Sequence, residues 1–146
     1  MERVTLEFDA AGTPLGYAQM WASARDWARF GLLYAGDGVV GGERLLPEGW
    51  VAYSTRQTPG SEDFGYGAGF WTNQGEGPAI RYRRDAGMPA GSFMARGNQG
   101  QYVIVEPDAG IVIVRLGAAF TPRGDIETVA RLARDVTEAL VDIPSE

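Results

Sequence analysis

Ser92–Leu116, SFMARGNQGQYVIVEPDAGIVIVRL, is the stretch whose reading decides the fold. Tyr102–Val105 and Ile111–Leu116 are dense in β-branched and aromatic residues and too short for helices, so they read as strands. Between them, Pro107 supplies a preset φ to open a turn and Gly110 can take the positive φ that closes it. Tyr102–Val105 should therefore pair antiparallel with Ile111–Arg115, and Phe93–Gly97 should pair on the other side of the first strand. Val-Ile-Val and Ile-Val-Ile-Val show little alternation, which places the hairpin inside a larger sheet of about four or five strands with both faces covered. Gly97 and Gly100 leave bare backbone at the first corner, where a ligand or another chain can approach closely.

The composition narrows the function. At 146 residues and 45% hydrophobic content the chain can bury one sizeable core. A net charge of -6 repels phosphate backbones, and the 13 basic residues are scattered apart from Arg81, Arg83 and Arg84, so nucleic acid is not an expected partner. No run approaches a membrane span, and no apolar segment follows Met1-Glu2-Arg3, so no signal peptide is expected, and the expected location is cytoplasmic if Met1 is the natural start. There is no cysteine, no histidine and no lysine; every basic residue is arginine. That removes Ser-His-Asp and Cys-His catalysis, zinc sites built on nitrogen or sulfur, and the phosphate-loop lysine. No metal and no cofactor is expected.

Taken from the start, residues 1–22 read as an irregular lead-in with a short strand conceivable at Val4–Phe8. Ser23-Ala24-Arg25-Asp26 then sets a capping hydroxyl before a carboxylate, followed by Trp27, Phe30 and Tyr34 at helical spacing and a stop at Gly36-Asp37-Gly38. Pro47 suits a first helical position, predicting a short helix over 47–57 with Trp50 and Tyr53. Phe64–Asn73 alternates small residues with aromatics and is expected to be a strand. Residues 74–91 are expected to be a long rim loop, with a brief strand at Ile80–Arg83. Thr121-Pro122 should start a closing helix whose Ile126, Val129, Ala130, Ala133, Val136 and Leu140 lie across the sheet.

Most sequence motifs have plainer explanations than chemistry. Gly65-x-Gly67-x-Gly69 lacks the spacing, helix start and downstream acid of a dinucleotide loop. Glu7, Asp9, Glu43, Asp63 and Asp85 are expected to be solvated surface rather than a catalytic carboxylate pair. In Arg123-Gly124-Asp125, a helix N-terminus accounts for the aspartate. Phe93–Gln101 is stronger. At a strand edge the peptide groups point outward, so an amide or ester can lie against them, and an N–H there can form half of an oxyanion hole. An ordinary Gly-Asn turn between core strands is the competing explanation.

Four segments, Ser23–Gly31 (SARDWARFG), Leu46–Trp50 (LPEGW), Tyr66–Trp71 (YGAGFW) and Ala95–Val103 (ARGNQGQYV), occur in an order that resembles the C-terminal part of the serine beta-lactamase and penicillin-binding-protein superfamily. The resemblance runs from about Phe8 to Leu140 and lies closest to the class C-like esterases and nylon-oligomer (aminohexanoate-dimer) hydrolases. It implies an α+β fold, an antiparallel sheet flanked by helices, forming part of the beta-lactamase/transpeptidase-like architecture over 23–146. It also implies a nucleophile in S-x-x-K, a tyrosine in Y-x-N and an edge-strand K-T-G. Only the last has a counterpart: Ala95, Arg96 and Gly97 stand where K-T-G would be, and Asn98 N–H where the second oxyanion donor is expected. These four are the expected substrate-binding residues. With no lysine and no Y-x-N, the chain holds no catalytic residue of its own; arginine is too firmly protonated to serve as the base.

The resemblance thus implies a hydrolase part for a small ester or amide, inactive alone and completed by an N-terminal half or by a second copy. A non-catalytic binding or assembly module that uses the edge at Ala95–Gln101 is the alternative. If the covering half is missing, apolar surface from the Trp27 helix, Trp71 and the sheet face should be bare, and the chain should self-associate.

Overall fold

The computed structural model describes residues 1–16, 19–121, 123 and 125–141. In chain order it forms β1 (Val4–Leu6), β2 (Met20–Ala22), α1 (Ala24–Ala35), β3 (Val39–Val40), β4 (Glu43–Arg44), α2 (Trp50–Thr55), β5 (Trp71–Thr72), α3 (Pro78–Asp85), β6 (Phe93–Gly97), β7 (Gln101–Glu106), β8 (Ile111–Arg115) and α4 (Ile126–Val141). The central sheet has the order β5-β6-β7-β8 and is antiparallel throughout. Its registers are those expected of the Ser92–Leu116 run: Ala95 opposes Val103, and Ile104 opposes Ile113. Gly110 at φ 66 closes the second corner, its N–H donating to Pro107 O.

Both faces of the sheet are covered, which is why its strands are apolar on both sides. Phe93, Val103 and Val105 meet Trp27, Phe30 and Tyr34 of α1 on one face. Met94, Tyr102 and Ile104 meet Ile126, Val129, Ala130 and Ala133 of α4 on the other, with Tyr82 of α3 alongside. Each large apolar side chain so buried contributes about 1.5–3 kcal/mol. The helix α1 comes closest at Gly31, where a Cβ would stand 2.4 Å from Val112 Cγ1. This layering corrects the expected bare surface: Trp27 and Trp71 are half-buried in the two cores and the sheet faces are covered.

Three local expectations are also corrected. The predicted strand over Phe64–Asn73 is reduced to Trp71–Thr72, because Gly65 (φ 70) and Gly69 (φ 94) bend the chain into a turn that brings Tyr66 opposite Trp71. The expected loop and strand over 74–91 hold the helix α3, with Pro78 in its first turn after Gly77. Pro47 does not start α2; it opens the preceding turn by accepting the Trp50 N–H, and the helix begins at Trp50. Pro122, half of the expected Thr121-Pro122 start of the closing helix, lies outside the described residues.

The lead-in holds the β1–β2 hairpin, exposed at Val4, Leu6 and Trp21. It is tied down by Asp26, a carboxylate only 1% exposed that accepts from Glu2 N–H, Arg3 N–H, the Ser23 hydroxyl and Arg29 Nη1. Those donors, the Ser23 hydroxyl first, hold its carboxyl far below the ordinary 3.8. Its contribution to stability is therefore complete above 3.8 and is lost as pH falls below it. Asp26→Asn should lower the urea midpoint at neutral pH, and the gap to wild type should narrow on acidification; a gap that stays constant would show that the charge is not what matters.

Candidate functional site

The site is built around the outer edge of β6. Asn73 N–H donates to Ser92 O at 3.3 Å. Opposed residues in an antiparallel ladder alternate between bonding each other and not, so the backbones of Ser92, Met94 and Arg96 turn toward β5. Yet β5 ends at Trp71, opposite Met94. The peptide groups of Arg96 thus face outward where no strand continues, and Asn98 opens the turn just beyond. Asn98 N–H has no hydrogen-bond partner among the described residues. Of the four expected substrate-binding residues, Ala95 is half-buried against the α1 core, while Arg96, Gly97 and Asn98 are exposed along this edge.

The corner that carries Asn98 is braced from behind. Gln99 (φ 56) and Gly100 (φ 77) turn the chain, and Ala119 N–H donates to Gln99 O at 2.7 Å. Arg115 Nη1 donates to Gly100 O at 2.6 Å and to Gly117 O, while its Nη2 meets Asp125 Oδ2 at 3.0 Å. The aspartate that precedes α4 thus serves mainly to hold Arg115 against the corner, and it also accepts from the Thr121 hydroxyl.

The Arg96 side chain runs along the α4 face rather than standing free. Its guanidinium lies over Trp71 (6.0 Å) and Tyr102 (5.8 Å), and its Nη2 donates to Arg123 O at 3.0 Å. Arg123 in turn covers the Tyr82 ring at 4.5 Å, and the Tyr82 hydroxyl bonds Glu127. A concavity in this second layer is lined by Tyr82, Arg123, Asp125 and Glu127. Burial pushes the Tyr102 phenol up, which keeps it neutral against Arg96.

Behind β5 lies a residue that sequence reasoning missed. Arg83, 6% exposed, donates Nε to Asn73 Oδ1 (2.7 Å) and Nη2 to Thr72 O (2.8 Å) and Phe64 O (2.9 Å). Asn73 Nδ2 passes the link to Ser92 Oγ at 2.9 Å, just before β6 begins. One buried cation thereby joins α3, β5 and the start of the edge strand. Burial, with the like charge of Arg96 added, lowers its pKa below the ordinary arginine value. Glu7, Asp9, Glu43, Asp63 and Asp85 are all exposed, as expected of solvated surface.

The chain thus folds as a layered α+β domain whose antiparallel sheet offers an open, glycine-bearing edge. The beta-lactamase family model matches residues 2–138, and the chain belongs to that family. Among solved structures it is similar to a 6-aminohexanoate-dimer hydrolase from Bacillus anthracis, with TM-score 0.68 and 22% identity over 96% of this chain and 34% of that one. It is also similar to a protein described as a beta-lactamase from Bacteroides dorei, with TM-score 0.51 and 18% identity over 93% of this chain and 44% of that one. At these identities the likeness is one of fold, and the chain spans less than half of either protein. No curated protein matches it. Among the described residues no helix is long and apolar enough to cross a membrane.

Proposed function

We propose that this chain is the C-terminal part of a beta-lactamase-family hydrolase of esterase or amidase type, with residues 23–146 as its domain. It contributes the substrate edge Ala95–Asn98 and depends on a completing segment for S-x-x-K and Y-x-N. The observation that carries this reading is the outward backbone of Arg96 beyond the end of β5, with an Asn98 N–H next along the chain that has no partner among the described residues. A substrate carbonyl seated there would receive Asn98 N–H as one oxyanion donor, and the substrate chain would lie along β6 as an added strand. The nucleophile and its base come from elsewhere, since the chain has no lysine or histidine to activate a serine.

The opposite edge supports completion by more polypeptide. β8 ends the sheet, all five of its residues are half-buried, and Ile111–Val114 carry no charge or proline to discourage pairing. A strand from an N-terminal half would close it; a second copy of the chain is the other occupant. The exposed edge also leaves room for the non-catalytic assembly reading, in which a peptide docks on β6 without being cleaved.

The test is an assay with a short-chain nitrophenyl ester, a chromogenic cephalosporin and a fluorophosphonate probe. Each is run on the chain alone and on the chain fused behind an N-terminal half carrying S-x-x-K and Y-x-N. The expected result is no turnover or labelling alone and both after fusion. Turnover by the chain alone that one serine substitution abolishes overturns the proposal, and a folded but inactive fusion favours the assembly module.

A further inference from the structure

We propose that Glu106 is a neutral carboxylic acid in the folded chain, and that its ionisation is a pH-sensitive release of the C-terminal half of α4 from the sheet. Glu106 ends β7 and is 4% exposed. Its Oε2 lies 2.6 Å from Thr137 Oγ1, and that hydroxyl lies 2.8 Å from Ala133 O. Its Oε1 has no hydrogen-bond partner among the described residues.

Proton counting separates the two forms. A threonine hydroxyl has one proton to give. If Glu106 is ionised, that proton must go to Oε2, Ala133 O loses it, and a buried charge is left with a single hydrogen bond. If Glu106 is protonated, its own O–H donates to Thr137 Oγ1 and the threonine proton goes on to Ala133 O. Only a neutral carbonyl oxygen then remains unpaired, a far smaller cost than an unpaired buried charge. Asp26 is the internal contrast: equally buried, it has four donors from other groups and remains a carboxylate. Burial pushes the Glu106 carboxyl above its ordinary 4.5.

Among the described residues no surrounding cation offsets the charge. On α4, Arg134 is exposed and engaged with Asp135 and Glu138, both also exposed. Asp108 in the following turn is exposed, and residues 86–92 carry no charged side chain. On β8 the charged residue is Arg115, at the far end and paired with Asp125; on β6 it is Arg96, also at the far end and bonded to Arg123 O.

The sign follows from linkage. An acid that is easier to protonate when folded adds stability fully below 4.5, and that stability falls as pH rises above this value. The chain has no histidine, so between about pH 5 and about pH 8 no other side chain ordinarily titrates. The test compares urea unfolding of wild type and Glu106→Gln across that range. The glutamine can still donate to Thr137 but cannot ionise. Wild type should lose stability as pH rises while Glu106→Gln stays level, and amide exchange beyond Ala133 in α4 should be faster in wild type at the alkaline end. A 13C titration of the Glu106 carboxyl in the wild-type chain gives a second readout that needs no variant, and its midpoint should lie above 4.5. Parallel stability curves for the two proteins, or a carboxyl midpoint at the ordinary glutamate value, overturns the proposal.

Discussion

Replacing Arg83 by methionine is expected to destabilise the chain by about 3 kcal/mol or more, although the two side chains fill similar space. The loss comes from the acceptors left behind. Asn73 Oδ1, Thr72 O and Phe64 O each give up a donor, and Asn73 is fully buried, so water cannot replace it without opening the site. Removing one partner of a buried hydrogen bond costs about 1–3 kcal/mol, more where the donor is charged. Arg83→Lys should recover only part of this, because an ammonium is a point donor and cannot serve three diverging acceptors at once. Urea unfolding followed by tryptophan fluorescence reads both, since Trp71 lies 6.0 Å from the Arg83 guanidinium and should shift its emission. An Arg83→Met midpoint equal to wild type would mean that α3 and β5 are held by apolar packing alone.

Arg83 also shows where reading the sequence stops. The β6–β7–β8 meander was legible because its apolar runs are bounded by turn residues whose φ values are nearly dictated, and α1 because Ser23 caps it before a clean stripe. The hydroxyl of Ser23 does accept from Asp26 N–H, but that aspartate also binds Glu2 N–H and Arg3 N–H just before β1, from more than twenty residues away, which no local pattern encodes. The helix α3 was missed because Ile80-Arg81-Tyr82-Arg83 alternates as a strand would, and in eight residues it shows only one fully buried apolar side chain, Ile80. Its other buried position is an arginine, Arg83, a residue type that ordinarily marks an exposed face.

The same holds for the site. That Ala95–Asn98 lie at a sheet edge could be read because the resemblance marked an edge strand there and period-two geometry did the rest. What braces that edge was not readable: Arg115 on Gly100, Arg123 beneath Arg96, and the Arg83–Asn73–Ser92 chain are all long-range contacts. The arginine at position 96 stands within the counterpart of K-T-G. Stacked between Trp71 and Tyr102 and bonded to Arg123 O, it adds positive charge near the edge while holding two aromatic rings in place.

Gly67→Ala should be severely damaging for a single added methyl, expected to cost about 3 kcal/mol or more. A Cβ there would stand 2.3 Å from Ser54 O and 2.9 Å from Arg56 O, and both obstacles are backbone, so neither can rotate aside. Relief would have to come from moving the end of α2 or the turn itself. The turn is pinned on both flanks, by Ala68 N–H on Ser54 O and by Gly67 N–H on Phe70 O. Gly69, two residues on, separates space from conformation: it sits at φ 94 with nothing within 4 Å of where a methyl would stand, so Gly69→Ala costs only backbone strain, about 1–2 kcal/mol. Thermal unfolding of the two variants side by side should therefore rank Gly67→Ala well below Gly69→Ala. If Gly69→Ala is the worse of the two, positive φ rather than close approach governs the turn. The tight fit of Gly67 against α2 would then not be what sets Tyr66 against Trp71, and through Trp71 the point where β5 stops and the β6 edge opens.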